Sequence, residues 1–253
     1  MSRPFRAARA LPACAAALAC LMTMVPAESK EKKPMKPTSK PAQDGAVRMT
    51  LLPALSSPLT AFRIQCRCGS INDPAGKEGL NALTAMTIGQ GGTRELTFRE
   101  LTDRLYPMAA TIQVQFDREV TTFTGEVHRD HLKAYYELLT GVLLRPRFDE
   151  SDFRRSRDVL MAGIETGLRG NDDEGLGKAA LSHLMYEGHP YRQPDAGTVQ
   201  GLKSITLDDV RAHYRKCYTQ GNVTLGVAGG YPEGMIESLK KDFAALPPGG
   251  PPR

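Results

Sequence analysis

No apolar stretch of this 253-residue chain reaches the roughly 20 residues that a membrane-crossing helix needs. Residues 11–25 come nearest, and that run is short and rich in alanine. Its length argues against a permanent anchor. The glycine pairs Gly91-Gly92 and Gly229-Gly230 lack a strand–GxGxxG–helix context, so nucleotide binding has no support. A basic patch interleaved with aromatics is also missing. The formal net charge is +5, but residues 1–45 carry eight Lys/Arg against three acids and account for all of it. Residues 46–253 are formally neutral, which excludes a nucleic-acid partner read by charge. Cysteine is scarce, with five in all. Cys66 and Cys68 form a C-x-C pair without the second pair of ligands that a structural zinc site needs.

What is there begins with a leader. Arg3, Arg6 and Arg9 precede the apolar run, and Val25-Pro26-Ala27 offers small residues for cleavage. Residues 1–27 therefore read as a secretory signal peptide, with the mature chain in the periplasm and no transmembrane span after cleavage. Leu18-Ala19-Cys20 hints at lipoprotein processing, but Ala17 stands three before Cys20, where Leu is expected. Cleavage leaves Cys66, Cys68 and Cys217, an odd number, so at least one is unpaired or bonded elsewhere. Cys66 and Cys68 point to one face of a strand and are poorly placed to pair with each other. They read as small apolar core residues.

Residues 28–45 are rich in Lys, Pro and Ser and read as a disordered basic tether. The folded domain is expected over residues 46–246. Strands are expected at 49–55 and 59–68, joined at Ser56-Ser57-Pro58, with Phe62, Ile64, Cys66 and Cys68 on one face. Helices are expected at 80–88, 97–105 and 130–144, and over 150–168 behind an Asp149 cap. A hairpin is expected around Asp117-Arg118. Further helices follow at 175–186, behind Thr206 and Asp209 as a capping box, and from Pro232. A strand is expected at 222–228. Strands and helices mix without a βαβ repeat. The expected class is α+β, a two-layer sandwich of a mixed, mostly antiparallel sheet covered by helices. Residues 247–253 read as a Pro/Gly linker, suited to join a second domain.

Several motifs recur in a particular order. Gly69-Ser70 follows the leading strands. Gly79-Leu80 opens the first helix, which continues Asn81-Ala82-Leu83-Thr84-Ala85-Met86. Arg145-Pro146-Arg147-Phe148-Asp149-Glu150 precedes the long helix. Gly188-His189-Pro190-Tyr191 is followed by Pro194 and Gly197-Thr198. Tyr214, Tyr218-Thr219, Asn222 and Val227-Ala228-Gly229 close the series. In order and spacing this resembles the N-terminal domain of the insulinase/pitrilysin zinc peptidases, whose first helix carries H-x-x-E-H. In that family two His and a distal Glu hold zinc, and the motif Glu acts as base.

The resemblance puts Ala82 and Met86 at the two His positions, Ala85 at the base and Gly163 at the distal Glu. Alanine and glycine offer no donor atom, and a thioether is a poor zinc ligand. The expectation is therefore no catalytic residue, no metal site and no cofactor. Nearby groups do not replace them. Glu165 faces about 200° around the helix from Gly163. Glu78 and Gln90 flank the first helix off its ligand face. His183 and His213 sit at helix-stripe positions as packed or surface residues, and His189 shapes a turn. His128 and His131 are three apart with no third ligand in view. Asn171-Asp172-Asp173-Glu174 reads as a solvated helix start.

Such zinc-less members of the family pair with a zinc-bearing subunit and close a shell around peptide substrate. The resemblance implies that role and those partners here. Two alternatives stay open: an active metallopeptidase with an unforeseen metal site, and a stand-alone envelope interaction module acting through the basic tether.

Overall fold

The structure is a computed structural model that describes residues 38–39 and 47–252. The signal-peptide reading, and all of the tether reading but Thr38–Ser39, lie outside the described residues. Strands β1 (Thr38–Ser39), β2 (Arg48–Pro53) and β3 (Leu59–Cys66) lead into helices α1 (Leu80–Gly89) and α2 (Phe98–Leu105). The hairpin β4 (Gln113–Phe116) and β5 (Thr121–His128) precedes α3 (Leu132–Leu144) and α4 (Glu150–Ala162). A π-helical turn over Gly163–Leu168 runs into α5 (Arg169–Asn171) and then α6 (Asp173–Met185). The chain ends with α7 (Val199–Ser204), α8 (Leu207–Cys217), β6 (Val223–Gly229) and α9 (Glu233–Phe243).

The strands form one mixed sheet in the order β1-β2-β6-β3-β5-β4. Among the described residues, only β2 and β6 are parallel. The α+β class and the mostly antiparallel sheet are as expected. β2 and β3 are consecutive but not paired, because β6 lies between them. The side chains of β3 alternate as read, with Phe62, Ile64 and Cys66 buried on the helix-covered face. Against them pack Phe123, Val127, Leu225 and Val227 from neighbouring strands, and Tyr135, Leu139, Leu239 and Phe243 from α3 and α9. Gly125 is required here, because a Cβ would collide with the Tyr135 hydroxyl. That hydroxyl instead donates to the Thr111 carbonyl at 3.0 Å.

The other face of the sheet is open, with polar side chains set among apolar ones such as Leu52, Ala61 and Ala228. Thr50, Arg63, Gln65, Gln113, Thr124 and Thr224 line a shallow groove of about 780 Å³. Among the described residues, no helix is long and apolar enough to cross a membrane.

Local chemistry sets the helix starts. Thr97 and Glu100 cap α2 reciprocally, and Thr206 and Asp209 do the same for α8. The Asp149 side chain accepts from Ser151 N–H at the start of α4. The expected helix to residue 168 is α-helical only to Ala162, where it widens into the π turn. Helix α7 had no sequence expectation. The segment 247–250 lies against 219–221: Gln220 N–H donates to the Pro247 carbonyl at 3.0 Å, and Gly221 N–H to that of Gly249 at 2.8 Å.

Helix α1 is buried along its whole length. Its first N–H groups find a carboxylate from outside the helix, since Asp73 accepts from Gly79 N–H and Asn81 N–H, each at 2.7 Å. Replacing Asp73 with Ala strands both donors. The expected loss is about 1–3 kcal/mol of unfolding free energy, read by urea denaturation.

Candidate functional site

The motifs that lie far apart in sequence meet around the start of α1. Gly79 has φ of +106°, and a Cβ there would sit 2.9 Å from the Ala196 carbonyl and 3.2 Å from the Gly197 Cα. Gly197, at φ +81°, leaves equally little room beside Glu78 and Gly79. Both positions need glycine for φ and for the close approach. Gly69 is closed against the backbone of Arg118 and Glu119. His189 accepts from Tyr191 N–H at 3.1 Å and so shapes the turn before Pro190, as expected. The Tyr191 hydroxyl reaches the Glu119 carboxylate, tying that loop to the β4–β5 turn.

The four positions aligned with the family's zinc chemistry are placed as follows. Ala82 and Ala85 are fully buried and Met86 is 7% exposed. Ala82 and Met86 pack in one apolar cluster with Leu80, Leu83, Phe153, Leu160 and Ile164. This cluster joins α1 to α4 and to the first residues of the π turn. Gly163 begins that turn, is exposed, and has open space where a Cβ would stand. The residues present do not fit a zinc ion: Ala82 and Met86 sit among hydrocarbon, and Ala85 and Gly163 add no lone pair. Glu165, next to Ile164, is exposed.

The remaining histidines are scattered. His183 is exposed and packs against the Arg192 guanidinium. His128 accepts from Asp130 N–H, and His131 starts α3. His213 differs: it is buried, within 3.5 Å of the sulfurs of both Cys68 and Cys217.

Cys68 and Cys217 are joined as a disulfide that links the end of β3 to the end of α8. This corrects the reading of Cys68 as a plain core residue. Sequence spacing could not find the bond, because its partners are 149 residues apart. Cys66 remains a free, buried thiol, as read. Burial pushes it up to about 12, with Arg67 opposing, so it stays protonated and poorly nucleophilic.

Burial also pushes His213 down to about 4, and Lys216 adds to the effect. The unfolded chain holds this imidazole near 6.5, so between about pH 4 and 6.5 the unfolded state binds the extra proton. The stability linked to His213 rises with pH through that window and is lost as pH falls. Relative to the parent, the disulfide-bonded H213Q variant is expected to gain about 3 kcal/mol on going from pH 7 to pH 4. Guanidinium unfolding at the two pH values measures it; parallel pH profiles for the two chains would refute it.

The β subunit of a probable mitochondrial-processing peptidase from Arabidopsis thaliana is 26% identical over 159 residues, 61% of this chain and 29% of that protein. The Helicobacter pylori protein described as non-peptidase homolog YmxG is 22% identical over 161 residues, 64% of this chain and 36% of its own length. The chain thus spans about a third of the curated relatives it matches. Among solved structures, a domain from Pseudomonas fluorescens described as an inactive peptidase M16 domain superposes with a TM-score of 0.78 at 19% identity, covering 87% of this chain and 53% of that one. The sequence pattern of the insulinase family, peptidase family M16, matches residues 52–194. With that match across more than half its length, and with the family's fold, this chain belongs to the insulinase (M16) peptidase family.

Proposed function

We propose that this chain is a non-catalytic insulinase-family subunit that pairs with a zinc-bearing subunit and helps enclose peptide substrate. The observation that carries the reading is the apolar cluster that holds Ala82 and Met86, with a buried Ala85 and an exposed Gly163 that add no donor. Hydrolysis by the family's route needs a metal-bound water and a base. Neither has a ligand or a side chain to depend on at these positions. The pairing finds support in relatives that are themselves named as subunits, and in neighbours described as inactive or non-peptidase.

The open face of the sheet is the surface suited to a peptide. Its Thr, Gln and Arg side chains offer both donors and acceptors, and it is broad rather than pocket-like. Delivery across the inner membrane by the leader at residues 1–27 belongs to the same reading.

The test uses the purified chain, alone and mixed with an H-x-x-E-H family chain from the adjacent reading frame. Alone, it is expected to cleave no peptide. Mixed, the two chains are expected to co-elute as a complex that cleaves peptides and loses activity with a chelator. Chelator-sensitive cleavage by the chain alone, or failure to associate with such a partner, would overturn the reading.

A further inference from the structure

A second set of donors converges elsewhere in the fold, on residues the zinc motif does not use. Cys68 Sγ, Cys217 Sγ and His213 Nε2 lie within 4.8 Å of one another, and all three residues are buried. His213 and Cys217 are four apart on α8 and so share one helix face. Cys68 follows the end of β3. Asn81, the residue beside Ala82, brings a fourth donor, its Oδ1 lying 3.3 Å from His213 Nε2.

That amide is held by Thr121. Thr121 Oγ1 donates to the Cys68 carbonyl at 3.0 Å and accepts from Asn81 Nδ2 at 3.0 Å. The amide oxygen lies 3.3 Å from Thr121 Oγ1 and 3.3 Å from His213 Nε2. On the other side, Asn222 Nδ2 donates to the Cys217 carbonyl at 2.6 Å and holds the end of α8. Supporting hydrogen bonds of this kind are what aim metal ligands.

We propose that this cluster is a soft-metal site: with the Cys68–Cys217 bond reduced, the two thiolates and His213 Nε2 bind a divalent cation of the zinc class, with Asn81 Oδ1 as the fourth donor. Sulfur and imidazole suit zinc-class ions, and four such donors complete a tetrahedron. Two thiolates and a divalent ion sum to zero charge, which is the form a buried site tolerates. The Cα atoms of Cys68 and Cys217 are 6.0 Å apart. Sulfurs on a tetrahedral zinc sit about 3.8 Å from each other, so they can part while the backbone stays in place.

The chemistry balances with a dithiol as reductant. Its two electrons and two protons convert the disulfide to two thiols while it becomes a cyclic disulfide. Metal binding then releases the two thiol protons to water. The disulfide and the metal complex are alternative states of one cluster. The site makes no use of positions 82, 85, 86 and 163, so it stands or falls separately from the subunit role.

The experiment uses the full chain with Cys14→Ser and Cys20→Ser, reduced anaerobically with excess dithiol, freed of it, and titrated with Cd²⁺ as the probe. One equivalent is expected to bind, with an ultraviolet thiolate-to-cadmium band, and Zn²⁺ is expected to displace it. The oxidised chain is expected to show no band. C217S and C68S are expected to abolish it, and C66S to leave it unchanged. Asn81→Ala is expected to weaken binding about 10–100-fold. No band in the reduced parent, shown by circular dichroism to be folded, overturns the proposal without reliance on any variant. A full-strength band in C217S overturns it as well.

Discussion

A chain carrying Ala82→His, Ala85→Glu, Met86→His and Gly163→Glu, the whole family motif restored, is expected to be less stable than its parent by about 3 kcal/mol or more. The three α1 positions are closed. Ala82 and Ala85 have no exposed surface, and the side chains around Ala82 and Met86 are hydrocarbon. Enlarging a packed site costs about 1–3 kcal/mol. Placing unpaired polar groups there costs about 1–3 kcal/mol more. Gly163 is the opposite case. Its Cβ would meet open space and its φ is an ordinary helical −57°. Gly163→Ala alone is expected to stabilise by about 0.5–1 kcal/mol, since glycine carries excess backbone freedom inside a helix. Urea unfolding of the two variants beside the parent reads both signs. A quadruple variant as stable as the parent, with one zinc bound, would show that α1 had kept room for the catalytic ion.

Removing the Cys68–Cys217 link is the second large effect. The bond closes a loop of 149 residues. A closure that long restrains the unfolded chain by about 5 kcal/mol in the chain-entropy account, and native disulfides typically return about 2–5 kcal/mol. Replacing both residues with Ala, or reducing the bond in metal-free buffer, is expected to lower unfolding free energy by about 4 kcal/mol. Thermal melts with and without reductant measure this. An unchanged midpoint would mean that packing of β3 against α8 holds that corner without the bond.

Much of the fold was legible because its signals are local. Thr206 and Asp209 announce the start of α8 through hydrogen bonds made within one turn, and Thr97 does the same for α2. Phe62, Ile64 and Cys66 alternate because a strand turns successive side chains to opposite faces. The break at Gly163 was not legible. A π turn adds one residue to a helical turn, and the apolar spacing of Leu160 and Ile164 reads the same on either side of it. The place of β6 between β2 and β3 was not legible either, because that strand is supplied much later in the chain.

At the site, sequence determined what the chain lacks. Ala82, Ala85 and Gly163 carry no donor in any fold, so the missing zinc ligands could be read from residue identity and order alone. What fills the space instead was decided by tertiary structure. The cluster of Met86 with Phe153, Leu160 and Ile164 depends on α4 lying against α1. The gathering of Cys68, His213, Cys217 and Asn81 depends on α8 closing over the end of β3. Composition and periodicity fix which face of each element is apolar. Which faces then meet is set by packing between elements far apart in the chain, α1 with α4 and β3 with α8, and no local pattern carries that information.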